Sequence, residues 1–499
     1  MPARLPVFLC TLLLGGCSLA PVYQRPAMPV LPATLGATGI AGVAGVAGVA
    51  TASVGTAPLN PAEARLLANF APQHSAAQLS MLTTLVEQAL AHNAQYRVAM
   101  RRVDEARALA RLEGAARLPT VSLQAEGKRT SFDNPDLEAT EREHYSAAGI
   151  GLDYDLDIFG RLRSMAQAAQ DRYAGSEQGA AAVRAGLIAE VLRAHTQLVA
   201  GSAALRVLQV TDGYQRQLDA YTQRQFDVGL ISRDQLGAQR AATAAHHAAT
   251  IAAAGRYATA QRALDVLTGY APAASVGASG GVDALAASPL PLAALRDLDA
   301  RILLDRPDLR QAEAELKARH ADIGAARAAF FPSIRLTTGV GSVSEDLGGL
   351  FKSGSRAWTF NPTVSLPIFD GGRNQAQLDA AELRKDAAVA SYAQAIEAAF
   401  QEVAGALDQQ RGLEAEAAAR RQRHDTLTRR TGAMALRVAQ GLQDSTDLLA
   451  EHLRTEDAAL ARIDAARDLA LNRIRLLHAF YGTTFSLNLP ITQDSPHHD

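Results

Sequence analysis

The stretch Ala148-Gly-Ile-Gly-Leu-Asp-Tyr-Asp-Leu-Asp-Ile-Phe-Gly-Arg161 holds the key to the fold. Ala148, Ile150, Leu152, Tyr154 and Leu156 alternate with Gly149, Gly151, Asp153 and Asp155. A period of two predicts a strand with one apolar and one polar face. Beyond Arg161 no proline interrupts the chain as far as residue 228, and Val183, Leu187, Ile188, Val191 and Leu192, then Tyr214, Leu218 and Tyr221, recur at helical spacing. That narrow stripe suits packing of helix on helix, and at 1.5 Å per residue roughly 68 residues make a rod of about 100 Å.

The same pattern returns further on. Trp358, Phe360, Val364, Leu366 and Ile368 alternate with Thr359, Asn361, Thr363 and Ser365, and a second proline-free run spans 373 to 440. Four matches share an offset of 212 to 213 residues, or within three of it: Ala91–Arg97 with Asp305–Arg310, Ala116–Leu123 with Ala329–Leu336, Asp157–Arg161 with Pro367–Arg373, and Phe226–Leu230 with Val438–Leu442. Their near-constant spacing predicts two copies of one long unit. Each copy reads as a helix (78 to 116 and 308 to 330, ending before Pro119 and Pro332), two strands, a very long helix, a tight turn and a second helix.

The partner strands are expected at Val121–Gly127 and Ile334–Val343, with polar loops around 128 to 145 and 344 to 356. Four strands of about ten residues match what a tilted strand needs to cross a bilayer. Four cannot close a barrel, and an open edge in lipid would strand N–H and C=O groups at several kcal/mol each, so further strands must come from other copies of the chain. Three copies would supply twelve, enough for an open lumen. The alternative is a pair of half-buried hairpins in water.

The N-terminus reads as a secretory signal: Arg4, an apolar run from Leu5 to Leu14, then Leu14-Gly-Gly-Cys17. About ten apolar residues are too few to span roughly 30 Å of hydrocarbon. Pro21 to Pro32 and the Gly-Val-Ala repeats of Gly42–Ala50 read as a tether. Of the two cysteines, Cys10 lies within the signal, which excludes a disulfide framework in the mature chain. A net charge of −2 with interspersed signs gives no footprint for nucleic acid. Abundant alanine and an aromatic content of 5% favour long, close-packed helices.

No motif with a catalytic mechanism survives inspection. Gly277-Ala-Ser279-Gly-Gly281 satisfies G-x-S-x-G but follows a helix end rather than a strand, so the strand-to-helix elbow that exposes a nucleophile is missing. His246 and His247 are adjacent and diverge on a helix, Glu451-His452 lacks a second histidine, and His497 and His498 belong to a polar tail. No metal site, cofactor or enzymatic activity is expected.

The far turns carry more. Asp227, Arg233 and Asp234 surround Gly229-Leu230, and Arg437, Asp444 and Asp447 surround Gly441-Leu442. They read either as contacts closing the end of a tube or meeting a partner, or as solvated turn charges around glycines that supply a positive φ.

Together, Cys17–Pro26, Arg306–Arg310, Phe330–Ile334, Pro367–Gly372 and the Val228-Gly-Leu230 and Gly441-Leu442 turns resemble the TolC-like outer-membrane efflux proteins, in their lipoprotein branch. The resemblance implies lipidation at Cys17 and, because Ser18 rather than Asp follows it, passage to the outer membrane, where several acyl chains anchor stably in the lipid. It also implies a homotrimer with a twelve-stranded β-barrel, a twelve-helix periplasmic tunnel, and tips that dock a periplasmic adaptor joined to an inner-membrane pump. Relatives commonly carry an acidic ring before the second tip. Here Thr431–Gln440 contains no acid and Ala435 stands near that place, so closure would fall to Asp444, Asp447 or the first tip.

The expected class is therefore mainly α with a membrane β-barrel. The expected divisions are a signal at 1–16, a lipidated tether at 17–60, a first repeat at 61–270, an equatorial segment at 271–304, a second repeat at 305–482 and a tail at 483–499. The expected function is a passive exit duct for small molecules. A duct for type I protein secretion, a periplasmic helical scaffold without a pore, and a lipid-anchored hydrolase built on Ser279 are the rival readings.

Overall fold

The computed structural model describes residues 59–61, 63, 64, 67, 76–134, 139–269 and 299–482. Cys17, the segment 21–50, Gly277–Gly281 and His497–His498 lie outside them. In chain order the elements are α1 (Ala76–His92), α2 (Ala94–Ala115), β1 (Thr120–Asn134), β2 (Ala139–Leu156), α3 (Arg161–Asp227) and α4 (Arg233–Leu267). A 3-10 turn (Ala300–Asp305) then leads to α5 (Pro307–Ala328), β3 (Ser333–Ser344), β4 (Arg356–Ser365), α6 (Arg373–Ala439) and α7 (Ser445–Ala479).

Helices α3 and α6 are each 67 residues long, and α4 and α7 each 35. At 1.5 Å per residue the longer pair extends about 100 Å. Both long helices begin the same way. Asp157 accepts the N–H groups of Leu162 (3.0 Å) and Arg163 (2.7 Å), and Asp370 accepts those of Gly372 (3.0 Å) and Asn374 (2.9 Å). A carboxylate so placed satisfies N–H groups that the helix leaves unpaired and meets the positive end of its dipole. The Asn374 and Gly372 amides, with Arg373 nearby, hold the Asp370 carboxyl below the usual carboxylate range despite the opposing cost of desolvation.

They also end the same way. Gly229 (φ 79°) and Gly441 (φ 71°) are left-handed. Leu230 N–H reaches Gln225 O (2.8 Å) and Gly229 N–H reaches Phe226 O (2.9 Å), while Leu442 N–H reaches Arg437 O and Gly441 N–H reaches Val438 O, both at 2.9 Å. This is a Schellman closure, which needs a residue tolerant of positive φ. Gly229→Ala and Gly441→Ala should each weaken their hairpin by about 1–2 kcal/mol. Faster hydrogen exchange at the Leu230 and Leu442 amides would register it; unchanged exchange would mean that the closures are dispensable.

The four strands form one antiparallel sheet in the order β1-β2-β3-β4, with β2–β3 joining the two halves. Register gives the sheet two unlike faces. Leu123, Ile150, Val340 and Trp358 align across all four strands, 84%, 58%, 68% and 76% exposed. The opposite face carries Ser122, Gly151, Gly339 and Thr359 in one row and Thr120, Asp153, Thr337 and Asn361 in another. Thr337 donates to Asp153 (2.9 Å), and Arg335 pairs with Asp155 (2.8 Å) on the same side. Gly149 faces Gly341, and a Cβ on Gly149 would lie 2.7 Å from the Val340 carbonyl, so this central crossing admits no side chain.

Three local expectations change. The helix expected over 78–116 breaks at Asn93, whose side chain accepts the Tyr96 N–H (3.0 Å) and caps a new helix. The loop expected at 128–145 is mostly strand: β1 has 15 residues and β2 has 18, so the hairpin outruns ten residues. The sequence there is mostly polar and lacks the regular hydrophobic alternation that marks a strand. β4 stops at Ser365 instead of continuing through Leu366 and Ile368, since Pro367 has no N–H to offer a ladder.

The main core sits midway along the long helices. Leu82, Leu85, Val86 and Ala89 of α1 pack on Leu187, Ile188, Val191 and Leu192 of α3, with Leu264 of α4 and Ile474 of α7. On the second half Leu303, Leu309 and Phe480 cover Ala399, Val403, Ala406 and Leu407 of α6. Val183, expected in the first stripe, is instead 37% exposed. No helix among the described residues is long and apolar enough to cross a membrane.

Candidate functional site

At the first hairpin tip, Asp227 accepts a hydrogen bond from Gln223 one turn earlier (2.7 Å), and Gln223 in turn accepts one from Arg240 of α4 (2.6 Å). Ser232 starts α4 with a reciprocal capping box: its hydroxyl accepts the Gln235 N–H (3.2 Å), and the Gln235 side chain accepts the Ser232 N–H (2.9 Å). Arg233 and Asp234 stay exposed in that first turn. At the second tip Asp444 caps α7, accepting the Thr446 N–H at 2.9 Å, while Arg437 and Asp447 stay exposed.

Each tip thus gathers its sequence-selected residues around one turn, but the recorded bonds of Asp227 and Asp444 stay within their own hairpins. Both tips present apolar side chains to solvent: Val228 and Leu230 on the first, Leu436 and Leu442 on the second.

Contacts just above the tips were not legible in the sequence. Glu451 of α7 is fully buried and lies 3.0 Å from both Arg430 of α6 and Arg454. The Thr431 and Thr455 hydroxyls meet at 2.7 Å. Asp212 pairs with Arg216 and lies 3.6 Å from His247 of α4. The two hairpins touch where Tyr214 of α3 stacks on His452 of α7, with ring centroids 4.5 Å apart. Burial pushes His452 below and Glu456 above their ordinary values, and it raises Tyr214 with help from Glu456. The spacing of Glu451 and Arg454 was one available signal. Arg430 belongs to the other arm of the hairpin and had none.

A second buried constellation lies at the equator. Glu63 is 1% exposed and receives Arg184 through both oxygens (2.6 and 2.8 Å), Tyr481 O–H (2.6 Å) and Asn60 N–H (2.9 Å). Arg184 also donates to Tyr96 O–H (3.2 Å). Burial alone would raise the Glu63 carboxyl, but Arg184, Tyr481 and Asn60 together hold it below the usual range. Burial of the Tyr481 phenol, and next its hydrogen bond to the same carboxylate, push that phenol up.

Comparisons with known proteins agree with this architecture. The family model described as outer membrane efflux protein matches residues 85–270 and 300–480. The cation efflux system protein CusC of Escherichia coli (strain K12) is 35% identical over 412 residues, covering 81% of this chain and 83% of CusC. Outer membrane protein OprJ of Pseudomonas aeruginosa is 37% identical over 411 residues (80% and 79%). The probable outer membrane lipoprotein SilC of Salmonella typhimurium is 34% identical over 400 residues (79% and 80%). A crystal structure of CusC superposes with a TM-score of 0.70 at 30% identity, over 93% of this chain and 99% of that one. With the two-faced sheet, the paired 67-residue helices and a match across both halves, the chain belongs to the TolC-like outer membrane efflux proteins and resides in the outer membrane.

Proposed function

We propose that three copies assemble into a passive exit duct. Each chain's two halves, 61–270 and 305–482 around the segment 271–304, contribute four strands to a twelve-stranded barrel and four helical arms to a twelve-helix tunnel. The supporting observation is the aligned apolar row Leu123, Ile150, Val340 and Trp358 on a sheet whose outer strands, β1 and β4, end the ladder. Such a row faces lipid at low cost, but unpaired edges do not, so neighbouring chains complete the ladder. The polar opposite face then lines the lumen.

In this reading Cys17 carries the lipid anchor. The tips, with Asp227, Gly229, Leu230, Arg233 and Asp234 on one hairpin and Arg437, Gly441, Leu442, Asp444 and Asp447 on the other, close the periplasmic end and meet an adaptor. The adaptor couples the duct to an inner-membrane pump that supplies small molecules and energy. The duct has no catalytic step and needs no cofactor. Opening is a change in the packing of the tip helices between two arrangements.

Planar-bilayer recording of the detergent-purified protein tests this. Wild type should give discrete single-channel conductance that increases in Asp444→Asn/Asp447→Asn. Asparagine preserves the cap on α7 while removing charge, so a rise reports gating and not a frayed helix. Folded, inserted protein that never conducts would overturn the duct. Conductance unchanged by the substitutions would move the gate away from the second tip.

A further inference from the structure

A groove of about 650 Å³ runs between α3, α5 and α6, beginning where the strands give way to the long helices. Arg172, Arg319, Arg373 and Arg384 line it, with Asp322 as its one acidic lining residue, Gln377 as a neutral donor, and Ala376, Ala380 and Ala381 along its floor. The charges do not cancel. Arg172 is engaged by Asp322 (2.5 Å), and Arg319 by Glu315 (2.7 Å), with Asp322 at 3.6 Å. Arg373 and Arg384 are exposed and have no carboxylate within ion-pair distance among the described residues. The acid beside Arg373, Asp370, accepts backbone N–H groups of its own helix start and feels the Arg373 charge without forming an ion pair with it. Arg327, outside the groove, is by contrast paired with Glu382 (3.0 Å).

We propose that this groove binds a phosphate-bearing anion. Guanidinium groups present a planar fork of donors that matches phosphate bidentately, and two of them here are uncommitted. Arg373 opens α6 and Arg384 follows three turns later, a separation of about 16 Å along the axis, so the forks grip an extended anion at both ends or two smaller ones. The alanine floor leaves room for a non-polar linker or acyl stem between them. The position of Arg172 in α3 repeats that of Arg384 in α6: each lies eleven residues past its helix's first arginine, Arg161 or Arg373. The groove thus receives the corresponding arginine from each half. A phosphodiester lipid head group and a soluble phosphorylated solute share the chemistry this site recognises.

Calorimetric titration of the full-length, detergent-solubilised protein at low salt distinguishes them, using sodium pyrophosphate as the soluble probe and phosphatidylglycerol in mixed micelles as the lipid probe. Phosphatidylcholine micelles are the zwitterionic control. At least one anionic probe should bind, and Arg373→Gln/Arg384→Gln should weaken it about ten-fold or more, as expected when charge-assisted bonds are lost. Arg384→Lys, which keeps the charge and loses the fork, should fall between them, and Arg327→Gln should bind like wild type. Binding of pyrophosphate identifies a soluble anion; binding of phosphatidylglycerol alone identifies a head group. If neither probe binds, or if the folded double variant binds as well as wild type, the proposal is overturned. Should the double variant fail to fold, Arg384→Lys and Arg384→Gln singly carry the same comparison.

Discussion

Glu63→Ala is expected to destabilise the folded chain by about 3–5 kcal/mol, the range for removing one partner of a buried ion pair. The cost comes less from the lost attraction than from what remains. Arg184, its side chain only 13% exposed, would keep its charge with only the Tyr96 and Tyr481 hydroxyls beside it, and Tyr481 would lose the acceptor it now uses. Replacing both members, as in Glu63→Ala/Arg184→Met, should recover much of the loss, because no charge is then left buried. Denaturant unfolding of the detergent-solubilised protein reads the three chains side by side. A loss under about 1 kcal/mol in Glu63→Ala would place the pair with weak surface bridges.

The sign with pH follows from the lowered Glu63 carboxyl. A group whose folded pKa lies below its unfolded value contributes fully above the unfolded value and loses that contribution as pH falls through the folded one. The gap between wild type and Glu63→Gln should therefore be constant at neutral pH and shrink below the ordinary glutamate value of about 4.3. The clasp also has a topological consequence. Glu63 lies near the N-terminal end of the described chain and Tyr481 near its C-terminal end, so one carboxylate fastens both to α3.

Val340→Arg is the second substitution of large expected effect. Val340 lies between Ile150 and Trp358 in the apolar row, 68% exposed in the single chain. If that row faces hydrocarbon, arginine there costs about 2–4 kcal/mol per chain at the bilayer midplane. Asn361→Arg makes the same chemical change on the polar face of neighbouring β4, where a water-filled lumen accepts it at little cost. Insertion yield into lipid vesicles should fall for Val340→Arg and stay near wild type for Asn361→Arg. Equal yields would mean that the faces are not lipid and water, and the scaffold reading would gain.

Much of this architecture could be read locally. Both faces of β2 follow from the alternation in Ala148–Leu156, and proline-free runs bounded by glycine locate α3 and α6 within a residue of their observed ends. These signals survive because side-chain direction in strands and helices is periodic and because positive φ selects glycine. Reading failed where the local signal vanishes or competes. The sequence of the outer part of the β1–β2 hairpin is mostly polar without alternation, and Asn93 starts a new helix inside a stretch whose composition reads as one.

The sequence by itself therefore determined the order of the elements, the repetition of a helix–strand–strand–long helix unit, the positions of the turning glycines and the two-sided character of the sheet. All of these depend on neighbours a few residues apart or on spacing along one chain. Only the tertiary structure decided that Glu63 meets Arg184 and Tyr481, that Glu451 lies between Arg430 and Arg454, that Tyr214 stacks on His452, and that Arg373 and Arg384 share a groove with Arg172 and Arg319. Most of those partners lie on different helices, and the register between packed helices is set by the fit of many side chains at once, which no local pattern encodes.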